Sequence, residues 1–303
     1  MKVLLTAVTL VLLTTSCTST GGRRPDAVSA RPTVVFLSDF GTLDESVAVC
    51  KGNMLGIEPN VNVVDVTHQI PAFSVEQAAR TLSLTTAYYP AGTVFLALVE
   101  QHTEGPKRGL VAKSKKGQYF VLPDNGLITL VKEKDGIDEV HVIGKNAWLE
   151  TELFQSSKFR GRDIYSVAAA HIARGEDWKS VGDVVTDFKA LKVRRSKMSD
   201  TQINGEVIAL DGPFGNLITN ITSANFLTAG YSLGEAVPVR VGGKTYRLPF
   251  VKTFDDVPMN HLLLYVDSSD HLAIAINQGN FASKYKVKPG AKISLTRKKT
   301  RNE

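Results

Sequence analysis

The stretch Thr33-Val34-Val35-Phe36-Leu37-Ser38-Asp39-Phe40-Gly41 decides how the chain is read. Five β-branched or large apolar residues without polar alternation predict a strand buried on both faces. The polar Ser38-Asp39 and the glycine after them predict a loop at its C-terminal end. Working outward, residues 45–57 predict a helix, with Val47, Cys50, Met54 and Ile57 at helical spacing. Residues 61–66 (VNVVDV) and 93–99 (TVFLALV) read as a second and a third strand, and residues 74–88 as the helix between them. Ser74 with Gln77 three residues later has the spacing of a capping box. Strands alternating with helices predict an α/β domain with a mostly parallel sheet. Residues 110–112 and 119–122 read as a hairpin. Residues 126–131 follow a Pro-Asp-Asn-Gly turn, and residues 163–173 predict a further helix.

The pattern changes after about residue 190. From residue 205 onward short strands are expected at 205–210, 237–241, 245–248, 262–266, 272–276 and 292–296, separated by Gly, Asn and Asp turns. They predict an all-β barrel or sandwich. The expected organisation is an α/β domain over residues 32–190 and a C-terminal β-barrel domain over 203–297, joined by a polar stretch. A chain of 303 residues, 43% hydrophobic and 22% charged, is long enough for two such domains and is not disordered.

The formal charge of +6 invites a nucleic-acid partner, but its distribution argues otherwise. Residues 1–31 hold four basic side chains against Asp26, and the last seven residues hold four against Glu303, so the body is near neutral. No nucleic-acid partner is expected. The chain opens MKVLLTAVTLVLLTTSC: one basic residue, a short apolar run, then small residues before Cys17. That is the shape of an export signal over residues 1–17, and the residues before Cys17 resemble a bacterial lipobox. Cys17 is the expected lipidation site, residues 18–31 a flexible tether, and the location a membrane-anchored exported lipoprotein. The second cysteine, Cys50, falls in the folded body, so no disulfide framework can be built.

Three loops carry candidate chemistry. Asp39 lies where open α/β sheets place ligands, and its carboxylate could accept two hydrogen bonds from a vicinal diol such as a ribose; equally, it could cap the segment that follows. Asp211-Gly212-Pro213-Phe214-Gly215-Asn216 could hold the ammonium and carboxylate of a zwitterion, or form a tight turn only. Phe159-Arg160-Gly161-Arg162-Asp163 precedes a helix and could meet an anion, or act as an ordinary cap. The six histidines are dispersed, so no metal site is expected.

In order along the chain, Ser38-Asp39-Phe40-Gly41-Thr42, Cys50-Lys51-Gly52, Val64-Asp65-Val66-Thr67-His68, Pro123-Asp124-Asn125-Gly126-Leu127, Phe159 with Gly161-Arg162-Asp163, Asp211 to Asn216, and Ile276-Asn277-Gln278-Gly279-Asn280 resemble the S-adenosylmethionine hydroxide adenosyltransferase family, which includes the fluorinase and chlorinase. The resemblance implies an α/β domain joined to a β-barrel, a homotrimer with the ligand between neighbouring subunits, and displacement at the ribose C5′ with no cofactor. It implies that Asp39 grips the ribose diol and that Asp44 and Ser46 share its loop, Ser46 near the methionine end. By the same resemblance Phe73 borders the ribose and methionine, Asp211 and Asn216 hold the amino-acid end, and Phe254, Asn277 and Gln278 line the adenine pocket.

The centre of the resemblance is rewritten. Where the hydrolase members carry Asp, Arg and His to position water, this chain carries Glu100, Lys107 and Arg160. Thr103 and Gly161 fall at the halide-site positions of the halogenases, with Phe159 alongside. A Glu100 carboxylate there would repel a halide by roughly 4 kcal/mol at ~4 Å and an effective dielectric near 20. The expectation is an S-adenosylmethionine hydrolase forming adenosine and methionine. The alternatives are a chloride-using halogenase and a non-catalytic lipoprotein that binds adenosyl ligands.

Overall fold

Residues 33–38 form a strand, β1 (Thr33–Ser38), buried from Val34 onward. The computed structural model describes residues 31–100, 108–144, 148–149 and 158–298. Cys17 with the rest of the expected signal, residues 18–30 of the tether, and the expected site residues Thr103 and Lys107 lie outside them. Beside β1 the first sheet contains β2 (Asn62–Thr67), β3 (Val94–Leu98), β4 (Gly109–Ser114), β5 (Tyr119–Pro123) and β6 (Ile137–Val142). Their order is β2-β1-β3-β5-β4-β6. β1 runs parallel to β2 and β3, and β3 parallel to β5, whereas β4 is antiparallel to both of its neighbours. The sheet is therefore mixed and mostly parallel, with the expected hairpin as β4 and β5.

Helices α1 (Ser46–Ile57), α2 (Val75–Thr85), α3 (Thr129–Asp135) and α4 (Ser166–Ala173) cover the two faces. Val34 and Phe36 pack with Cys50 and Met54 of α1 and with Ala168, Ala169 and Ile172 of α4. Val35 and Leu37, one residue out of phase, pack with Val75, Ala78 and Leu82 of α2 and with Val131 of α3. A strand covered on both faces has no position for a polar side chain, which is why the opening stretch reads as an unbroken apolar run. Each fully buried side chain of this size contributes about 1.5–3 kcal/mol.

Three local expectations need correction. Ser74 makes no side-chain cap, so the capping box with Gln77 does not form. The turn before α2 is set instead by Phe73, which has a left-handed φ of 65° and donates its backbone N–H to Asp39. The helix expected to reach residue 88 is α-helical to Thr85 and continues as a 3-10 turn over Thr86–Tyr88. β6 was not anticipated: Ile137-Asp138-Glu139-Val140-His141-Val142 carries three polar side chains, as an edge strand does.

The second sheet holds β7 (Lys197–Met198), β8 (Gln202–Asp211), β9 (Asn216–Thr222), β10 (Ala236–Val241), β11 (Lys244–Pro249), β12 (Leu262–Val266), β13 (His271–Ile276) and β14 (Lys292–Thr296). Its main path is β11-β10-β14-β8-β9-β13-β12, and β7 pairs with β8. The strand pairs are antiparallel, and a single bridge between Phe250 and Leu264 brings the two ends of the path together, so the sheet is nearly a closed barrel. Val207, Leu217, Val239, Leu264, Ile274 and Leu295 fill its interior. β9 was not expected, because Asn-Leu-Ile-Thr-Asn-Ile-Thr is too polar to announce a strand. Its polar groups are met locally: the Thr219 hydroxyl donates to the Leu272 carbonyl and Asn220 donates to the Arg194 carbonyl. Short helices α5 (Ser223–Leu227) and α6 (Phe281–Tyr285) close the ends.

Charged contacts tie the two sheets together. Arg194 lies 3.2 Å from Glu76 of α2 and 3.0 Å from the buried Glu206 of β8. Arg80 of α2 reaches His271 at 3.2 Å and Asp267 at 3.8 Å. Among the described residues, no helix is long and apolar enough to cross a membrane.

Candidate functional site

The strand order locates the site. From β1 the chain returns through α1 to β2 on one side, then through α2 to β3 on the other, so the direction of winding reverses between β1 and β3. Open α/β sheets bind ligands at such a point, outside the C-terminal ends of the strands. Ser38 is level with Leu98 across that gap, so Asp39 follows β1 by one residue and Glu100 follows β3 by two, one step out of register with each other. The Asp39 N–H donates to the Leu98 carbonyl at 3.3 Å. Both carboxylates follow the C-terminal ends of the strand pair, Asp39 meeting the entry of α2 and Glu100 the start of α4.

The Asp39 loop is held from beneath. The Gly41 N–H donates to the His68 carbonyl at 2.7 Å with φ at 73°, a conformation that favours glycine. The buried Ser38 hydroxyl is 2.7 Å from His68 Nδ1, and His68 Nε2 is 3.1 Å from Asp65, which Lys51 meets at 2.5 Å. Burial alone would raise the Asp65 pKa, but hydrogen bonds from Lys51 and His68 outweigh it and hold it below the ordinary carboxylate value. Ser38 is wholly buried, so this Ser–His–Asp chain braces the loop and does not present a nucleophile. Asp39 Oδ2 accepts from the Phe73 N–H at 2.9 Å, joining the β1 loop to the entry of α2. The capping of its own loop is instead the work of Asp44, whose Oδ1 accepts from the Ser46 N–H at 2.9 Å and starts α1.

The third wall comes from the start of α4, where Gly161–Tyr165 form one π turn. Such turns widen a helix and occur often at functional sites. The Phe159 and Phe40 rings meet edge to face at 5.5 Å. A Cβ on Gly161 would lie 3.0 Å from Phe159, 3.1 Å from Phe40 and 3.3 Å from Leu98, so the backbone closes directly on an apolar wall. Behind that wall the Tyr165 hydroxyl donates to Glu100 at 3.3 Å, and the Arg160 guanidinium lies 5.6 Å from the Tyr165 ring centre. Arg162 does not point to this centre; it pairs with Asp163 at 2.5 Å. Cys50, packed nearby under α1, has its thiol pushed up to about 12 by burial, with Asp163 adding to the rise and Arg162 opposing it.

The remaining expected residues gather elsewhere. Asp211, Asn216, Phe254, Asn277 and Gln278 line one cavity of about 760 Å³ built from the second sheet alone. Asn216 donates to Asp211 at 3.1 Å, and its buried Oδ1 has no hydrogen-bond partner among the described residues. Asn277 is fixed by donating to the Val257 carbonyl at 2.8 Å, and Gln278 takes a left-handed φ of 54° at the cavity edge. Phe254 stacks obliquely on Tyr265 at 5.0 Å. Burial, reinforced by the charges of Asp211 and Asp267, pushes the Tyr265 hydroxyl up to about 12. The site residues thus form two groups, one at the β1–β3 edge and one at the end of the second sheet. A cavity of similar size, about 750 Å³, lies between α2, α3 and the second sheet. Its charged residues Glu76, Glu133, Arg194 and Arg195 pair with one another, so it belongs to the joint between the sheets.

Sequence reasoning missed Tyr165 and the bracing role of His68. A tyrosine on an apolar helix face reads as core, and only the hydroxyl hinted at more. Among the described residues, no group of three or more His, Cys, Asp or Glu side chains is placed to hold a metal ion.

Comparison with known proteins identifies the family. Residues 34–182 match the SAM hydroxide adenosyltransferase N-terminal domain and residues 205–294 the C-terminal domain. A fluorinase of Actinoplanes sp. (strain N902-109) is 32% identical over 89% of the chain and 99% of its own length. An (R)-S-adenosyl-L-methionine hydrolase of Salinispora tropica is 31% identical over 88% of the chain and 98% of its own. The crystal structure of an uncharacterized conserved protein from Thermotoga maritima superimposes with a TM-score of 0.80 at 34% identity, covering 87% of this chain and all of that one.

Proposed function

Because the chain belongs to the S-adenosylmethionine hydroxide adenosyltransferase family, we propose that it is a hydrolase that displaces L-methionine from the ribose C5′ with water. The observation that carries this reading is the pair Asp39 and Glu100 at the ends of adjacent parallel strands, beside the closed apolar wall at Gly161. Asp39 accepts from the ribose diol and fixes C5′. The water oxygen attacks C5′, the C5′–S bond breaks, and its electron pair returns to sulfur, which becomes the neutral thioether of methionine. The water's proton passes to Glu100 and then to solvent. The sulfonium is already a charged leaving group, so the protein's part is alignment and exclusion of competing solvent. Asp211 and Asn216 take the amino-acid end, and Phe254, Asn277 and Gln278 the adenine.

Water is preferred to chloride because Glu100 accepts a water proton but repels a halide. The similarity to a fluorinase keeps chloride as the competing nucleophile. Incubation with S-adenosylmethionine, with and without chloride, separates the readings by product: adenosine for hydrolysis, a 5′-chloro nucleoside for halide transfer. Binding without turnover would leave only a ligand-binding protein.

The protein is further proposed to act as a homotrimer in which each β1–β3 edge meets a neighbour's second-sheet cavity. Exposed Leu43 and Phe73 at the first group and Phe214 and Met259 near the second support this. Lipidation at Cys17 and export to the cell envelope complete the proposal, testable by the mass of the mature N-terminal residue.

A further inference from the structure

The β10–β11 hairpin and the loop after α6 come together at one end of the second sheet. A Cβ on Gly242, in the hairpin turn, would lie 3.1 Å from Val287, and the Tyr246 ring of β11 meets Phe281 and Tyr285 of α6 at 5.6 and 5.2 Å. Val237, Val239 and Val241 are buried in the barrel, so Arg240, opposite Thr245, and Arg247, opposite Pro238, face outward. Lys244 stands at the turn, Lys286 and Lys288 flank Val287, and Lys284 lies over the Tyr285 ring. All six cations are exposed, and none of them forms an ion pair among the described residues.

The surroundings supply no counter-charge. Neither residues 236–254 nor residues 271–302 contain an Asp or Glu. Across β14, Glu206 stands opposite Lys292, but it is buried and already shared by Lys292 at 2.7 Å and Arg194 at 3.0 Å. Lys286 ends α6 with a left-handed φ of 54°, a conformation that glycine adopts at least cost. The turn itself gives no reason for a lysine there. The tip is therefore a cluster of like charges that the fold neither neutralises nor requires.

We propose that this tip is a docking surface for the anionic phospholipid headgroups of a membrane. The setting rests on the proposed lipid anchor at Cys17; the attraction itself does not. Four of the six cations are lysines, point charges on flexible stems that suit a fluid layer of phosphates, whereas a fixed phosphate or base would favour the planar fork of arginine. The surface is a turn and a loop, and its cations line neither of the two cavities described above. As a flexible coil, the proposed tether of residues 18–31 spans roughly 20 Å, so a lipid at Cys17 holds the tip at high effective concentration over the headgroups. Docking turns the end of the second sheet toward the membrane.

The test uses the full chain carrying Cys17→Ser, which removes the lipid, sedimented with phosphatidylcholine vesicles prepared with and without phosphatidylglycerol. The anionic lipid should raise binding, and salt should reverse the gain. The variant Lys244→Gln, Lys286→Asn, Lys288→Gln should bind the anionic vesicles about a hundredfold more weakly, roughly fivefold per lysine near a charged surface. A variant of equal charge on the other domain, Lys115→Gln, Lys189→Gln, Lys192→Gln, should lose less than threefold. A thermal melt verifies that both variants fold. Equal binding to the two kinds of vesicle overturns the proposal, as does a folded tip variant that keeps the gain or a control variant that loses as much. Tighter retention of duplex DNA than of anionic vesicles through the same lysines also overturns it. A mature N-terminal residue without lipid would remove the anchor, while the difference between vesicles still decides the surface.

Discussion

Asp39 ties two loops to one carboxylate, since it leaves β1 beside Leu98 and accepts from the backbone of Phe73. Asp39→Ala should therefore weaken binding of an unreactive S-adenosylmethionine analogue by about a hundredfold or more, the sum of two charge-assisted hydrogen bonds, as read by calorimetry. Unaltered affinity would remove Asp39 from the ribose. Glu100→Gln should behave differently, with turnover reduced about a hundredfold and affinity within twofold, because a general base acts on the reaction and not on binding. At this scale the sequence was legible where a residue type was surprising in its place. Asp39 closing an apolar run stood out as soon as the strand was drawn, whereas Glu100 was marked only by the family resemblance. Tyr165 and His68 did not, because a buried aromatic and a dispersed histidine resemble ordinary core. What distinguishes them is a partner 65 or 30 residues away in the chain, which only the folded arrangement supplies.

The elements were legible to the degree that they are buried on one plan. β1, β3 and the helices over them carry continuous or periodic apolar residues, and their expected bounds differ from the observed ones by a residue or two at most ends. β6 and β9 are polar because one lies at a sheet edge and the other satisfies its side chains locally, so neither gave a periodic signal. The Ser74 capping box failed because the link from Phe73 to Asp39 fixes the turn before the helix can use its own cap. The π turn at Gly161–Tyr165 carries no sequence signature either, and Gly161 is where it is most exposed to test. Gly161→Ala would place a methyl within 3.0–3.3 Å of Phe159, Phe40 and Leu98. These are contacts of ring and strand side chains, so the wall must shift by tenths of an ångström. Turnover should fall more than tenfold, with a melting point lower by only a few degrees, as for mild overpacking. Cys50 offers a second check on this layer. With its thiol at about 12 and its side chain buried, it should resist a thiol reagent at pH 8 until the chain is unfolded, in protein carrying Cys17→Ser. Rapid native labelling would mean that α1 does not pack as described.

The whole molecule depends on contacts between its two sheets that neither half specifies alone. Arg80 of α2 lies 3.2 Å from His271 Nε2, while His271 Nδ1 is 2.7 Å from the Ser269 carbonyl, an arrangement that suits the neutral ring. Burial first, and Arg80 next, lower the His271 pKa below its ordinary value, against the opposing pull of Asp267 and Asp270. The unfolded chain therefore binds this proton more readily than the folded one. The contribution to stability is present above the unfolded value of about 6.5 and is lost as pH falls from there through the folded value. The melting point of the parent should drop more steeply below pH 6.5 than that of His271→Gln; parallel curves would show that the contact does not couple the sheets to pH. The basic residues Arg194 and Arg195 are engaged in the same joint with Glu76, Glu206 and Glu133. Two separate groups of proposed ligand contacts, each with exposed apolar neighbours, are the reason to expect an assembly, and light scattering should return three times the chain mass. The most direct test of the account is the product of the purified protein incubated with S-adenosylmethionine in the presence of chloride. The account predicts adenosine and methionine in equal amounts, strongly reduced in Glu100→Gln; a 5′-chloro nucleoside, or bound and unchanged S-adenosylmethionine, would contradict it.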